Sequence, residues 1–488
     1  MIRPTPQPNV PGRGIVASYG TRFWMLVVLV GLGAGLGGAA LMELLRAVQH
    51  LAWSYHSGDF LDGVKRTSST RRVLVLLAGG VVAGGGGLLL ARRGPGEVSE
   101  AIWLRGAHVP FWSSIARGVH SIVIVALGAS LGREAAPQQA GAAVASAVSD
   151  WAKLPEWQRR LLVACGAGAG MAAVYNVPLG GALFALEVLL GTLTLPLVLP
   201  ALATSLIATG VAWIALPTAP TYDIPSYPIS GSQVVWAVII GPIAGLAAIG
   251  WIRLVALAHT MRPSGWLRLV APIVVFTALG ALAIVYPQLL GNGKPVVQLA
   301  LVAQLSVGLL AVLLVLKPLV TAACLGSGAP GGLFTPTLAY GVLLGGLLGE
   351  GWAQIWPGAP LGGYAIIGGA AVLAASMQGP LAAVVLLLEL THHADALMVP
   401  ILIAVVEATV LARVLGAPSI YSARVSALPE EVHAAAARIG YDALDAETAE
   451  EEMLAPSDLL PITMHQPSTA APPVTAKARG TQLERDPP

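Results

Sequence analysis

Charged residues are scarce in this 488-residue chain, because Asp, Glu, Lys and Arg make up only 11% of it, against about 25% in a typical soluble domain. The formal net charge is +2, which gives no indication of a nucleic-acid-binding protein. Only two cysteines occur, Cys165 and Cys324, and both lie in apolar runs, so no disulfide framework is expected. Hydrophobic residues make up 56% of the chain, and the mean hydropathy is +0.75. This composition indicates an integral membrane protein.

Constellations of catalytic or metal-binding side chains are also missing from the sequence. His392 and His393 form a pair at the end of an apolar run, and no further residue is spaced to complete a site with them. The sequence therefore disfavours a membrane-embedded enzyme, and we expect neither a metal nor a cofactor.

Apolar runs of bilayer length, or close to it, follow one another along the chain. A helix needs about 20 residues to cross a bilayer, and several runs are too short to do so alone. Broken helices in a membrane are tolerated only where the free backbone lines a cavity or is buried in protein. The runs are 23–45, 72–91, 113–131, 137–149, 160–174, 178–191, 193–215, 232–258, 267–286, 297–325, 336–354, 362–377, 379–391 and 396–416.

An internal repeat relates the two halves of the chain. The segment YNVPLGGALFALEVL (175–189) resembles MQGPLAAVVLLLELT (377–391), so that Glu187 corresponds to Glu389. A second pair, GREAAP (132–137) and GGLFTP (331–336), lies at nearly the same separation. Interruptions at corresponding positions of two halves point to the binding site of a transporter. We therefore predict an all-α membrane protein built from a duplicated unit.

The repeat and the composition divide the chain into five parts. Residues 1–20 are expected to be a cytosolic segment, and 21–215 and 232–424 are the two membrane halves, joined by a linker at 216–231. Residues 425–488 are acidic at first and then rich in Pro, Thr and Ala, which predicts a cytosolic and largely disordered tail.

Glu134 is the first candidate functional residue. It lies in GASLGREAAPQQAG (128–141), shortly before a helix predicted to start at Pro137. An ionisable residue at membrane depth is costly and marks a functional site by default. Because a helix start favours a carboxylate or a free anion, we predict that Glu134 occupies an anion site and that protonation weakens its hold. A salt bridge to Arg133 or a plain helix cap is the alternative.

A second glycine-rich turn, GSGAPGGLFTPTLAYG (326–341), precedes a helix of the second half. Its glycines allow backbone amides to approach a ligand closely, so the amides of Leu333 and Phe334 are predicted to face an anion. Tyr421 in PSIYSAR follows the last apolar run. Its hydroxyl either donates to an anion or belongs to an interfacial aromatic belt.

Together these segments resemble the CLC family of chloride channels and chloride/proton exchangers. GREAAP stands where the family has G-[KR]-E-G-P, and GGLFTP resembles its G-x-F-x-P segment. YNVPLGGALFALE is similar to the family's N-x-P-x-x-G-x-x-F-x-x-E stretch, and SIYSA to the segment with its anion-coordinating tyrosine. The resemblance implies two inverted halves with broken and tilted helices, in a homodimer with one pore per subunit and without CBS domains.

The resemblance also implies roles for individual residues. It makes Glu134 the gating glutamate and Arg117 a buried basic residue that raises the potential for anions. The expected substrate is chloride, with nitrate as the other candidate, and protons are the coupled ion, in a bacterial inner or plasma membrane. The residues expected around the anion are Pro95, Gly96, Arg133, Ala135, Leu333, Phe334 and Tyr421.

Departures from the family pattern bear on the mechanism. Pro95 replaces the serine whose hydroxyl touches the anion, a change that accompanies nitrate preference within the family, and Glu97 also breaks that motif. Ala135 replaces the glycine after the glutamate, and the proline comes one place late. Val188 falls on the inner proton glutamate of the exchangers, directly after Glu187.

These departures leave more than one function open. We expect proton-coupled anion exchange gated by Glu134, with protons arriving through a water chain or Glu187. A passive voltage- or pH-gated chloride channel is the alternative, because Val188 cannot carry a proton. Glu187 and Glu389 also have a purely structural interpretation, as buried and hydrogen-bonded carboxylates. A fluoride-specific exporter is disfavoured by Tyr421 and the GGLFTP segment.

Overall fold

The computed structural model describes residues 19–91 and 97–425. Pro95, Gly96, nearly all of the expected N-terminal segment and nearly all of the expected tail lie outside the described residues. The described residues therefore cover the two membrane halves and the linker between them, apart from the gap at 92–96.

The described part of the first half is helical. Its helices, numbered along the chain, are α1 Thr21–Trp53, α2 Phe60–Arg66, α3 Ser69–Ala91, α4 Val98–Leu104, α5 Phe111–Ala126, α6 Ala135–Trp151, α7 Glu156–Tyr175, α8 Pro178–Leu183 and α9 Leu195–Ala212. A π-helical segment, Phe184–Leu190, continues α8. The second half consists of α10 Gly231–Thr260, α11 Leu267–Leu282, α12 Lys294–Leu301, α13 Val307–Gly326, α14 Phe334–Ile355, α15 Leu361–Met377, α16 Pro380–Thr391 and α17 Met398–Val414.

The predicted duplication is confirmed by matching helix ends. The residues that cap the C-terminal ends of α7 and α15 are Asn176 and Gln378, and both adopt the left-handed conformation with a φ of 58°. Each is followed by a short helix that begins with proline, where the absent amide proton is no loss. The same local chemistry therefore breaks the chain at the same place in each half.

Small residues allow the helices to pack closely. A Cβ at Gly141 of α6 would meet the carbonyl of Gly166 in α7, and the reverse also holds. The second half repeats this contact, since Gly345 of α14 lies against Gly368 of α15. In membranes such residues favour helix association because lipid tails provide no hydrophobic driving force for it.

The structure corrects one predicted helix and adds two short ones. The run 297–325 is two helices, α12 and α13, because Ser306 starts a new one by accepting a hydrogen bond from the Leu309 N–H at 3.4 Å. The helices α2 and α4 were not predicted, since each has only seven residues and leaves no apolar run of bilayer length.

Six helices among the described residues are long and apolar enough to cross a bilayer. Large apolar side chains on them are exposed, among them Leu36, Leu206, Leu246 and Val410. Such surfaces suit lipid, and the protein is an integral, multi-pass membrane protein.

Candidate functional site

Two glycine turns bring the halves together at the centre of the molecule. After α5 and α13 the chain reverses through Gly128 and Gly328, whose φ values of 106° and 94° favour glycine. Gly132 and Gly332 then pair antiparallel, with N–H to O distances of 2.7 and 2.8 Å. An approximate twofold axis in the membrane plane produces such antiparallel contact between nearly equivalent residues. The contact places the starts of α6 and α14 side by side.

Glu134 caps the helix of the other half and does not cap its own. It directly precedes α6, and its side chain forms no capping bond there. Its Oε1 instead accepts the N–H of Phe334, the first residue of α14, at 2.7 Å. A Cβ on Gly132 or Gly332 would overlap the carboxylate, so these glycines provide its space. Only 1% of Glu134 is exposed.

Two hydroxyl groups that the sequence analysis missed complete the contacts of Glu134. The Tyr175 hydroxyl donates to Oε2 at 3.1 Å, and Thr335 Oγ1 lies 2.7 Å from the same hydroxyl. The Tyr175 ring packs on Phe334 at 5.7 Å between centroids. Arg133 does not form the considered salt bridge with Glu134 among the described ion pairs, and its guanidinium lies over the Tyr175 ring, 5.0 Å from the centroid.

A cavity lined by Glu134 extends to the segment 421–424 that follows α17. Tyr421 lies in its wall and packs edge-on against Phe184, with centroids 5.5 Å apart. The cavity thus connects Glu134, the first candidate residue of the sequence analysis, with Tyr421, the last one. Its lining consists of Glu97, Val98, Ser99, Glu134, Ala135, Gln138, Gln139, Leu189, Gly332, Leu333, Tyr421 and Arg424.

Glu97 and Arg424 line this cavity, and we call them, together with the neighbouring Arg262, the tail-side mouth. Arg424 donates to Glu97 at 2.5 Å and is only 7% exposed. Arg262 lies within electrostatic range of both. Burial, followed by the charge of Arg424, lowers the pKa of Arg262 to about 10, so its guanidinium remains charged at neutral pH. The mouth therefore combines two cations with one carboxylate.

Three of the seven predicted anion-binding residues line this cavity. Ala135, Leu333 and Tyr421 line it, and the amide of Phe334 reaches it through Glu134. Arg117 is not among the lining residues, and its guanidinium donates to the Leu90 carbonyl at 3.3 Å.

Glu187 and Glu389 serve as reciprocal helix caps. Glu187 accepts the N–H groups of Leu381 and Ala382 at 3.2 and 2.6 Å, at the start of α16. Glu389 accepts those of Leu179 and Gly180 at 3.0 and 2.7 Å, at the start of α8. Both oxygens of each carboxylate thus accept hydrogen bonds from the backbone. This agrees with the structural interpretation of Glu187 and Glu389. Val188 is 7% exposed and presents no titratable group.

The arrangement around Glu134 suits a small anion. A buried charge is tolerated only when it is hydrogen-bonded or paired, and here the free N–H groups at the start of α14 offer that stabilisation. A monovalent anion in the position of Oε1 would meet the same Phe334 amide. In this structure the Glu134 carboxylate fills the position, and the donors around it are of the kind that would also hold a small anion.

Comparison with known proteins gives a consistent result. Residues 88–413 match the family model described as voltage gated chloride channel. A putative chloride channel protein, ClcB-like, of Ralstonia nicotianae is 34% identical over 68% of this chain and 79% of its own length. The voltage-gated ClC-type chloride channel ClcB of Salmonella typhimurium is 32% identical over 81% of this chain and 97% of that protein. The H(+)/Cl(-) exchange transporter ClcA of Citrobacter koseri is 32% identical over 60% of this chain and 64% of that protein.

Solved structures share the fold. A slow cyanobacterial Cl−/H+ antiporter superposes with a TM-score of 0.73 at 21% identity, and the match covers 83% of this chain and 97% of that one. A CLC-type fluoride/proton antiporter superposes with a TM-score of 0.66 at 20% identity, covering 83% of this chain and 98% of that one.

Proposed function

This chain belongs to the CLC family of voltage-gated chloride channels and transporters, and we propose that it carries small monovalent anions through the cavity that Glu134 closes. The supporting observation is the position of the Glu134 carboxylate, which accepts the Phe334 N–H at 2.7 Å while almost fully buried. A side chain in this position excludes an anion until it is displaced or neutralised.

Electrostatics explain why the carboxylate and the anion exclude each other. The N-terminus of α14 acts as roughly half a positive charge, and a charge-assisted hydrogen bond is about twice as strong as a neutral one. Only one anionic group fits against the Phe334 amide, and the buried site has no bulk water to screen a second. Occupation by chloride therefore requires Glu134 to leave.

Protonation provides one way to make Glu134 leave. A neutral carboxyl group interacts weakly with a helix N-terminus, so it yields the position to an anion that remains charged. Anion movement and proton binding are then linked at one residue, and we propose proton-coupled exchange as the mode of transport. Relatives named as an H(+)/Cl(-) exchange transporter and as a Cl−/H+ antiporter support this proposal.

A passive, Glu134-gated pathway is the second candidate, and two residues favour it. Val188 has no proton to give, and Glu187 has both oxygens engaged by the amides of Leu381 and Ala382. An inner proton route through Val188 or Glu187 therefore lacks support. Proton-coupled exchange would then have to bring its protons along the polar lining of the cavity. Relatives named voltage-gated ClC-type chloride channel agree with this candidate.

The substrate and the assembly follow the family resemblance. We propose chloride as the principal anion, with nitrate as the competing candidate because of Pro95, and two copies of the chain as the working unit, each with its own pathway. Both are proposals that flux measurements with each anion and a mass determination in detergent test directly.

Replacing Glu134 by glutamine tests the proposed function. Purified protein in liposomes is expected to carry chloride faster as the pH falls, because protonation releases the carboxylate. Glu134→Gln is permanently neutral, so its chloride flux should be independent of pH. Glu43→Gln is the matched control, since Glu43 is a half-exposed carboxylate paired with Arg46 on the surface of α1; its pH profile should equal that of the unmodified chain. A pH-dependent flux in Glu134→Gln would remove Glu134 from this role.

The reversal potential separates exchange from passive flow. With equal chloride on both sides and an imposed pH gradient, an exchanger develops a potential that follows the gradient, and a passive pathway develops none. The same liposomes serve for both measurements.

A further inference from the structure

Two hydroxyl groups lead to the Glu134 carboxylate from a side that the proposed anion pathway does not use. Tyr175 reaches it from the end of α7 and Thr335 from the first turn of α14. Tyr175 is 1% exposed and Thr335 is fully buried. The distances are 3.1 Å from Tyr175 to Oε2 and 2.7 Å between the two hydroxyls, whereas Thr335 itself lies 3.5 Å from Oε2. Tyr175 is therefore the direct contact and Thr335 supports it.

The chemistry of the groups fixes the direction of these hydrogen bonds. An ionised carboxylate only accepts, so Tyr175 donates to Glu134, and the proton between the two hydroxyls then comes from Thr335. A protonated Glu134 is itself a donor, so it donates to Tyr175, which turns its own proton towards Thr335. The pair accommodates both states, but the charge-assisted bond of the ionised state is the stronger.

The surroundings of Tyr175 strengthen its bond to the ionised carboxylate. Arg133 lies over the ring at 5.0 Å, and a cation on the face of a phenol draws electron density from it and makes its O–H a better donor. The Phe334 ring holds the tyrosine from another side. Since the site is buried, water does not replace this donor when it is lost.

We propose that Tyr175, supported by Thr335, is a positioning residue that holds the ionised Glu134 carboxylate in the place of the anion and thereby sets the pH range in which the pathway opens. This inference rests on the proposed function of Glu134. A hydrogen bond to the charged form of an acid favours that form, so the Tyr175 bond keeps the pathway closed down to a lower pH than the amide of Phe334 would alone.

Other charged and titratable groups face Glu134 and remain unchanged in the test. The cavity presents Glu97 and Arg424 at its far end. The groups that interact electrostatically with Glu134 or with Arg133 are Arg133 on the same turn, Tyr222 from the segment after α9, Tyr421 from the segment after α17 and Lys294 from α12.

Tyr175→Phe removes the hydroxyl and keeps the ring, and chloride flux into liposomes as a function of pH is the measurement. The pH of half-maximal flux should rise by about one unit, which corresponds to a tenfold lower proton concentration. Flux at neutral pH should rise for the same reason. Thr335→Val should shift the pH profile of the flux in the same direction but less. Thr335→Ser retains a hydroxyl, so its pH profile should equal that of the unmodified chain.

Tyr222→Phe is the matched control. Tyr222 is also buried and lies within electrostatic range of Glu134, but the hydrogen bonds of the described residues link only Tyr175, of these two tyrosines, to the carboxylate. The pH of half-maximal chloride flux in Tyr222→Phe should equal that of the unmodified chain. If Tyr175→Phe and Thr335→Val both retain the original pH of half-maximal flux, with or without a loss of thermal stability, the proposal is wrong.

A double variant separates this inference from the proposed function. In Glu134→Gln the charged acceptor is gone, so adding Tyr175→Phe should leave flux at every pH unchanged. An equal effect of Tyr175→Phe in both backgrounds would show that the tyrosine acts elsewhere and would overturn the inference. A pH-dependent flux in Glu134→Gln would instead overturn the gating role of the carboxylate itself.

Discussion

Glu97 and Arg424 form an ion pair at the tail-side mouth, in the wall of the same cavity that Glu134 lines. Arg424 is buried, and its Nε has no hydrogen-bond partner. The same is true of Nε in Arg262. Guanidinium groups with buried, unused donors attract anions, and the Glu97 carboxylate opposes this attraction. Its charge should therefore weaken the entry of anions from this end.

Neutralising Glu97 should tighten the apparent binding of chloride. In Glu97→Gln the mouth retains two cations and no carboxylate, so the chloride concentration at half-maximal flux should fall by roughly three- to tenfold, on the order of 1 kcal/mol for a partly exposed pair. Glu100→Gln is the matched control, because Glu100 pairs with Arg105 and is not among the lining residues. An unchanged half-saturation in a stable Glu97→Gln variant would contradict the role of the mouth.

Individual site residues differ in how far the sequence predicts them. Glu134 and Phe334 stand in short glycine-rich segments whose chemistry suggests an anion site before any fold is known. Tyr175, Thr335 and Arg424 have no such local signal, because a single hydroxyl or guanidinium in an apolar stretch is compatible with many structural roles. Only the fold brings Tyr175 to a carboxylate 41 positions away and Arg424 to one 327 positions away.

At the scale of the helices, the repeat in the sequence predicts where the chain breaks but not what holds the breaks together. The corresponding prolines, Pro178 and Pro380, start α8 and α16 as expected. The free N–H groups in the first turns of α8 and α16 donate to Glu389 and Glu187, respectively, so that each helix is capped by a carboxylate of the other half. This reciprocal capping requires the two halves to lie side by side in inverted orientation. The spacing of residues along the chain carries no information about that arrangement.

Removing one of these carboxylates should destabilise the protein without changing its response to pH. Glu187→Ala leaves the amides of Leu381 and Ala382 without their partner. Ala382 is fully buried, and an unsatisfied buried group costs about 1–3 kcal/mol. Thermal unfolding in detergent should therefore occur at a lower temperature, while the pH profile of chloride flux keeps its position. Glu389→Ala is the matched variant, and the symmetry predicts a similar loss. An unaltered unfolding temperature together with lost proton coupling would instead assign Glu187 to the proton route.

At the scale of the whole molecule, the proposed anion pathway lies where the two halves meet. The first half supplies Glu134 and Tyr175, the second supplies the amide of Phe334, and the segment after α17 closes the cavity with Tyr421 and Arg424. Neither half alone presents a complete anion position. A duplicated chain thus yields one site on its approximate twofold axis, because the nearly equivalent helix starts face each other there and only one of them follows a glutamate.

Shortening the chain tests how much of it this site requires. Three of the contacts that hold the segment after α17 are decisive for the cavity: Ile420 N–H donates to the Ser376 carbonyl at 2.7 Å, Tyr421 packs on Phe184, and Arg424 pairs with Glu97. Because the last of these contacts lies before Val425, a chain ending at Val425 should form the same cavity and carry chloride at the same rate with the same pH profile. A chain ending at Ala417 lacks all three contacts and opens the cavity wall, so its chloride flux should be lost or no longer depend on pH. Size-exclusion chromatography of both truncations in detergent establishes whether they are folded. Loss of flux in a folded chain ending at Val425 would show that residues beyond 425 take part in transport.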